Sequence, residues 1–196
     1  MQKGPVRRAF LFLESIMATV YSVGHGNRSS EALLALLADS GIRRLVDVRA
    51  VPRSKRHPHF GYGPLGASLM AAGVEYDWRG KPLGGMRRSP DETRHPALKE
   101  PAFRAYAVHM ESASFRAAAS GLAAAAAHGR VCMMCAERDP AKCHRSLISD
   151  WLVANGHEVV HLIEPGETRQ HALSPAVRVT EGTLDYSANG PQGSLF

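Results

Sequence analysis

Cysteine is scarce in this chain, acidic residues are scarce in one part of it, and long apolar runs do not occur. Only three of the 196 residues are Cys. So small and odd a number excludes a disulfide-stapled scaffold. It fits a reducing cytoplasm, where thiols are buried, reactive or metal-bound. Nowhere do 18 apolar residues follow one another, which excludes a membrane-spanning helix on length. The shortage of acid is local. Residues 1–60 hold ten Lys/Arg against four Asp/Glu, and residues 61–196 hold fourteen of each. The net charge of +6 therefore belongs to the first third, which points to a local anion-binding site rather than a generally sticky surface.

What is present suffices for one domain: 44% hydrophobic residues can build a core. Residues 1–18 start basic and turn apolar, but Glu14 breaks the apolar stretch, so they read as an N-terminal extension and not as a signal peptide. Met17 is a second candidate start, because MATVYSVGH runs straight into a strand, and residues 1–16 are expected to be non-native or weakly ordered. Residues 19–164 form the expected domain. From Glu164 onward Pro, Gly, Ser and Thr dominate, and residues 165–196 read as a flexible tail.

Within the domain, β-branched segments alternate with amphipathic ones. Strands are expected at 19–24, 43–49, 74–78, 130–135 and 157–163. Helices are expected at 31–41 (capped by Ser29 or Ser30), 64–73, 99–128 and 144–156. The stretch 79–98 reads as a long loop. This alternation predicts an α/β fold, a mostly parallel sheet of about five strands flanked by helices in a three-layer sandwich. Ligands of such sheets bind beyond the carboxyl ends of the strands. Strand one ends at His25 and Arg28, strand two at Asp47 and Arg49, and strand four at Cys135 and Glu137; strand three leads to Gly84 and Gly85.

Asp47 and Arg49 lie two apart and share a strand face, as an ion pair or as an anion-binding arginine with its orienting carboxylate. The loop PRSKRHPHF mixes Arg53, Lys55 and Arg56 with His57, His59 and Phe60, a pattern suited to phosphate contact and base stacking, or to a solvated loop. Cys132 and Cys135 look like half a zinc site, yet three positions on one strand put them on opposite faces, so Cys132 reads as core. Cys135 ends a strand and Cys143 precedes a helix. With His144 they form a candidate soft metal site, zinc above all, a redox pair, or a nucleophile beside a base. Arg145 and Ser146 open that helix, where backbone amides favour anions or where they simply cap it. The chain ends Gln192-Gly193-Ser194-Leu195-Phe196. This resembles the short peptide by which bacterial repair and replication proteins dock on the DNA polymerase sliding clamp. Leu195 and Phe196 would fill an apolar pocket and Gln192 would bond at its rim.

Together these residues resemble the domain-of-unknown-function 488 family. The matching stretches are Ser22–His25 with Arg28–Ser29, Leu45–Arg49 with Pro52–Arg56, Leu83–Gly85, Cys135–Glu137 and Cys143–Ser146, and the resemblance spans roughly residues 19–164. Gly26 stands where the family often has Ser, and Cys132 is outside its pattern. The resemblance implies a fold and one constellation (His25, Asp47, Arg49, Cys135, Glu137, Cys143, His144, Arg145), not a reaction.

Two functions follow as expectations. One is an enzyme acting on a nucleotide or nucleic acid, in DNA repair, with Arg28, Arg49, Arg53, Arg56, Gly84, Gly85, Arg145 and Ser146 on the ligand, Cys135 or Cys143 as nucleophile or metal ligand, and Glu137, Asp47 or His25 moving protons. The other is a non-catalytic DNA- or nucleotide-binding module recruited to the clamp. A thiol redox sensor is a third alternative.

Overall fold

The computed structural model describes residues 17–89, 91 and 93–187. Five parallel strands form its centre: β1 (Thr19–Gly24), β2 (Arg44–Asp47), β3 (Glu75–Trp78), β4 (Val131–Cys135) and β5 (Glu158–Glu164), in the spatial order β3-β2-β4-β1-β5. A sixth, β6 (Glu167–Gln170), runs antiparallel along β5. The result is the α/β sandwich that the alternation predicts.

The strand order explains the layering. From β1 the chain steps to β2 and β3 in one direction; β4 and β5 then return in the other. Crossovers of one hand that travel in opposite directions lay their helices on opposite faces. Hence α1 (Ser30–Asp39) and α2 (Tyr62–Ala71) cover one face, packing Leu33, Leu36, Leu37, Leu65 and Leu69 against Val23, Leu45, Cys132 and Met134. The one-turn α3 (Gly80–Leu83), with α4 (Pro101–Met110), α5 (Ala113–Ala127) and α6 (Arg145–Ala154), supplies the other face. There Tyr106, Phe115, Leu122, Leu147 and Leu152 meet Val20, Val46, Met133 and Cys135. Cys132 and Cys135 do fall on opposite faces, as strand parity requires. Ser29 caps α1, its Oγ accepting from Ala32 N (3.2 Å).

Two expectations are corrected. The helical region 99–128 is two helices, broken at Glu111 and Ser112, where Ser112 Oγ caps α5 by accepting from Phe115 N (3.2 Å). Residues 165–187 are not a flexible tail. They form β6 and a hairpin of β7 (Arg178–Thr180) and β8 (Thr183–Asp185), and Leu184 and Tyr186 are buried against α6. The pattern was hard to read because one apolar anchor per short segment carries the packing. Residues 1–16 and 188–196 lie outside the described residues.

Candidate functional site

Strands β1 and β4 are neighbours, but the chain leaves them toward opposite faces, α1 following β1 and α6 following β4. A crevice is expected where connections diverge in this way. The ladder continues past both strand ends: His25 N donates to Cys135 O (3.0 Å) and Gly26 N to Ala136 O (2.8 Å). Gly24 permits this approach, since a Cβ there would overlap the Glu137 carbonyl.

On the α1/α2 side of this edge stands a closed polar cluster. Asp47 is fully buried and its carboxylate is saturated. Oδ1 accepts from the Arg49 backbone N (3.0 Å) and Nε (2.9 Å), and Oδ2 accepts from Arg49 Nη2 (2.6 Å) and the Tyr76 hydroxyl (2.7 Å). Arg49 Nη1 donates to His25 Nε2 (3.3 Å), while His25 Nδ1–H donates to the Gly26 carbonyl (2.9 Å). His25 also stacks on Phe60, ring centroids 4.2 Å apart. Burial, aided by the Arg49 charge, lowers its pKa to about 4, so the ring is a neutral acceptor for Arg49.

On the opposite side stand the thiols. Cys135 and Cys143 are buried and unbridged, and their Sγ atoms lie 3.9 and 3.7 Å from His144 Nδ1. His144 Nε2 lies 3.1 Å from the Val48 carbonyl oxygen. A carbonyl only accepts, so Nε2 carries the proton and Nδ1 turns a lone pair to both sulfurs. The two thiols have opposite acidities. The adjoining Cys135 thiol, and after it the Arg145 charge, draw the Cys143 thiol well below its ordinary pKa; the adjoining Cys143 and burial push Cys135 well above it. The three donor atoms of Cys135, Cys143 and His144 all lie within 4.8 Å of one another, a soft donor set.

The constellation implied by the resemblance is therefore two clusters divided by the sheet. The Asp47–Arg49 turn joins them through Val48. Other expected site residues take different places. Arg28 is buried, donating to the carbonyls of Gly24 (2.5 Å) and Ile163 and to Glu164 (3.4 Å). Arg145, 1% exposed, donates to Ser22 Oγ (2.7 Å) and the Glu137 carbonyl (2.5 Å). Both arginines direct donors at their own protein and clamp strand ends to the following loops. Glu137 is exposed, its carboxylate accepting from Asp139 N (3.1 Å). Ser146 Oγ donates to the Cys143 carbonyl (2.9 Å) and so shapes the thiol loop. Gly84 is packed too tightly against Gly80 and Ala50 for a side chain, and Gly85 abuts the His144 ring. Arg53 and Arg56 are exposed on the basic loop. Gln192, Leu195 and Phe196 lie outside the described residues.

Sequence reading missed Tyr76, whose hydroxyl completes the Asp47 shell, and it missed a second buried network entirely. Asp150 Oδ1 accepts from His171 Nε2 (3.0 Å) and Ser174 N (2.9 Å), and Oδ2 from the Tyr186 hydroxyl (2.8 Å). His171 Nδ1 in turn lies 3.0 Å from His161 Nε2. This chain lines a cavity of about 410 Å³ beside α6. No local signal marks it, because its partners come from α6, β5 and the segment after β6.

A family model described as "Domain of unknown function DUF488" matches residues 29–152. No curated protein and no solved structure matches the chain.

Proposed function

We propose that this protein, which belongs to the domain of unknown function DUF488 family, uses the Cys143 thiolate to act on a nucleotide or nucleic acid. One observation carries the reading: two buried thiols and an imidazole lone pair meet at the carboxyl edge of a parallel sheet, and the Cys143 thiol is the one drawn below its ordinary pKa. Such a group is a nucleophile at neutral pH, and Cys135 S–H and His144 are the groups able to move its proton. The basic loop after β2 supports an anionic substrate, with Arg53, Lys55 and Arg56 exposed at the same edge. Asp47, Arg49 and His25 set the shape of that edge and do not move protons themselves, because their bonds are already filled. The proposal includes DNA repair, a cytoplasmic location, suited to three unbridged cysteines, and docking of Gln192, Leu195 and Phe196 on the sliding clamp. Among the described residues no helix is long and apolar enough to cross a membrane.

The test is alkylation. Reduced, metal-stripped protein is treated with iodoacetamide and the labelled cysteine is mapped by mass. Cys143 should label first and Cys132 should stay silent. Labelling of Cys143 no faster than Cys132 overturns the reading.

A second reading rests on the donor set itself. Two sulfurs and one imidazole within 4.8 Å suit zinc with a fourth position open. His144 Nε2–H on the Val48 carbonyl is the kind of outer bond that orients a metal-bound histidine. Stoichiometric zinc in protein purified under reducing conditions selects this reading, and its absence rejects it.

A further inference from the structure

We infer that the groove between the basic loop and β3 takes an unpaired base of single-stranded nucleic acid. This deepens the proposed function and rests on its assignment of a nucleic acid ligand. The groove has a volume of about 770 Å³ and is lined by Val51, Pro52, Arg53, Pro58, Tyr62 and Trp78. It begins at Ala50, two residues past the Val48 carbonyl that fixes His144, so it opens from the same strand edge as the thiols.

Its lining is unusual for exposed surface. Tyr62 is 57% exposed and Val51 54%. Trp78 spends its indole N–H on the Arg49 carbonyl (2.9 Å), which leaves ring surface and no donor for a ligand. The Tyr62 ring is braced by Tyr76, centroids 5.3 Å apart, and its backbone N donates to the Pro52 carbonyl (3.0 Å). Flat, braced aromatic surface beside prolines suits a π-face, which every base presents whatever its identity.

Charge decides the occupant. From Asp47 to Phe60 four cationic residues (Arg49, Arg53, Lys55, Arg56) accompany one acid, Asp47, and Arg49 neutralises that acid. Arg53 lines the groove and Lys55 and Arg56 flank it, all exposed. An apolar peptide would bring nothing to answer these charges. A strand with phosphates at regular intervals answers them while a base enters between Tyr62 and Trp78. A duplex keeps its bases stacked inside and cannot make the aromatic contact.

The experiment compares three labelled probes on the full chain by fluorescence anisotropy: oligothymidylate, an abasic oligomer of equal length, and duplex DNA. Oligothymidylate should bind at least about fivefold tighter than the abasic strand. Tyr62→Ala should remove that advantage, whereas Met70→Ala, exposed on α2 but outside the groove, should not. Equal binding of both single strands, or an advantage that survives Tyr62→Ala, overturns the base site and leaves a phosphate-led interface standing. Failure of all three probes to bind overturns both the base site and the nucleic acid assignment. Alkylation of Cys143 is read in a separate assay, so thiol chemistry and base recognition fail separately.

Discussion

His144 Nε2 sits 3.1 Å from the carbonyl oxygen of Val48, and this contact between residues 96 apart in sequence decides the chemistry of the thiol cluster. With its proton on Nε2, the imidazole presents Nδ1 to Cys135 and Cys143 as an acceptor or ligand. The other tautomer would present an N–H to the sulfurs and could neither bind a metal nor receive a proton through Nδ1.

The Cys143 thiolate should persist below the pH at which ordinary thiols protonate. Its folded pKa is depressed, so the thiolate fraction is lost only as pH falls through that lowered value. The alkylation rate of Cys143 should stay nearly flat from pH 9 to well below the free-thiol pKa of about 8.5. Cys135→Ser weakens the donor that stabilises the thiolate and should shift the profile upward; an unshifted profile removes Cys135 from that role.

Stripping metal tests the same three residues from another direction. If zinc is resident, chelation should lower the melting temperature, and His144→Ala should lose metal affinity by roughly 10- to 100-fold or more, the scale of even an orienting residue. Metal content by elemental analysis and competition with a chromogenic chelator measure both.

Asp47→Ala should destabilise the fold by about 3–5 kcal/mol, because it leaves the Arg49 guanidinium buried and unpaired. Urea denaturation measures it. Tyr76→Phe removes one bond to the same carboxylate and should cost less, about 1.5–3 kcal/mol.

Two buried histidines make the fold acid-sensitive in a defined window. His25 and His161 have folded pKa values lowered by burial from 6.5 to about 4 and about 3. The unfolded chain then binds more protons than the folded one below about pH 6.5. Stability is full above that value and falls as pH drops toward 4 and 3. His25 alone accounts for about 3 kcal/mol over that range. Urea midpoints at pH 7 and pH 4.5 should differ in this sense, and His25→Phe should flatten the difference.

Tyr186→Ala should cost about 3–5 kcal/mol, since the ring is buried on α6 and its hydroxyl serves Asp150. A cost near zero by urea denaturation would mean that residues 165–187 do not belong to the cooperative fold.

Much of the frame was legible from residue pattern. β-branched runs and capped amphipathic helices placed all five parallel strands, and the basic loop fell where strand two ends. Parity on β4 is enough to separate Cys132 from Cys135. The same rule would have separated Asp47 from the thiols, but two residues must share a strand for parity to be counted directly. Asp47 and Cys135 belong to different strands, so their faces depend on register, which sets Asp47 beside Met134. Arg28 and Arg145 illustrate another limit. An arginine near a strand end looks like an anion site until its donors are counted, and here they reach carbonyls over a hundred residues away (Ile163 from Arg28) or within the thiol loop (Glu137 from Arg145).

The sequence by itself determined the order of strands and helices, the scarcity of thiols and the place of the excess charge, because these follow from local periodicity and composition. The tertiary structure alone decided the His144 tautomer, the split of one apparent constellation into two clusters, and the Asp150–His171–His161 chain. Each of these depends on which hydrogen-bond partner a buried polar atom finds across the fold, and no window of neighbouring residues contains that partner.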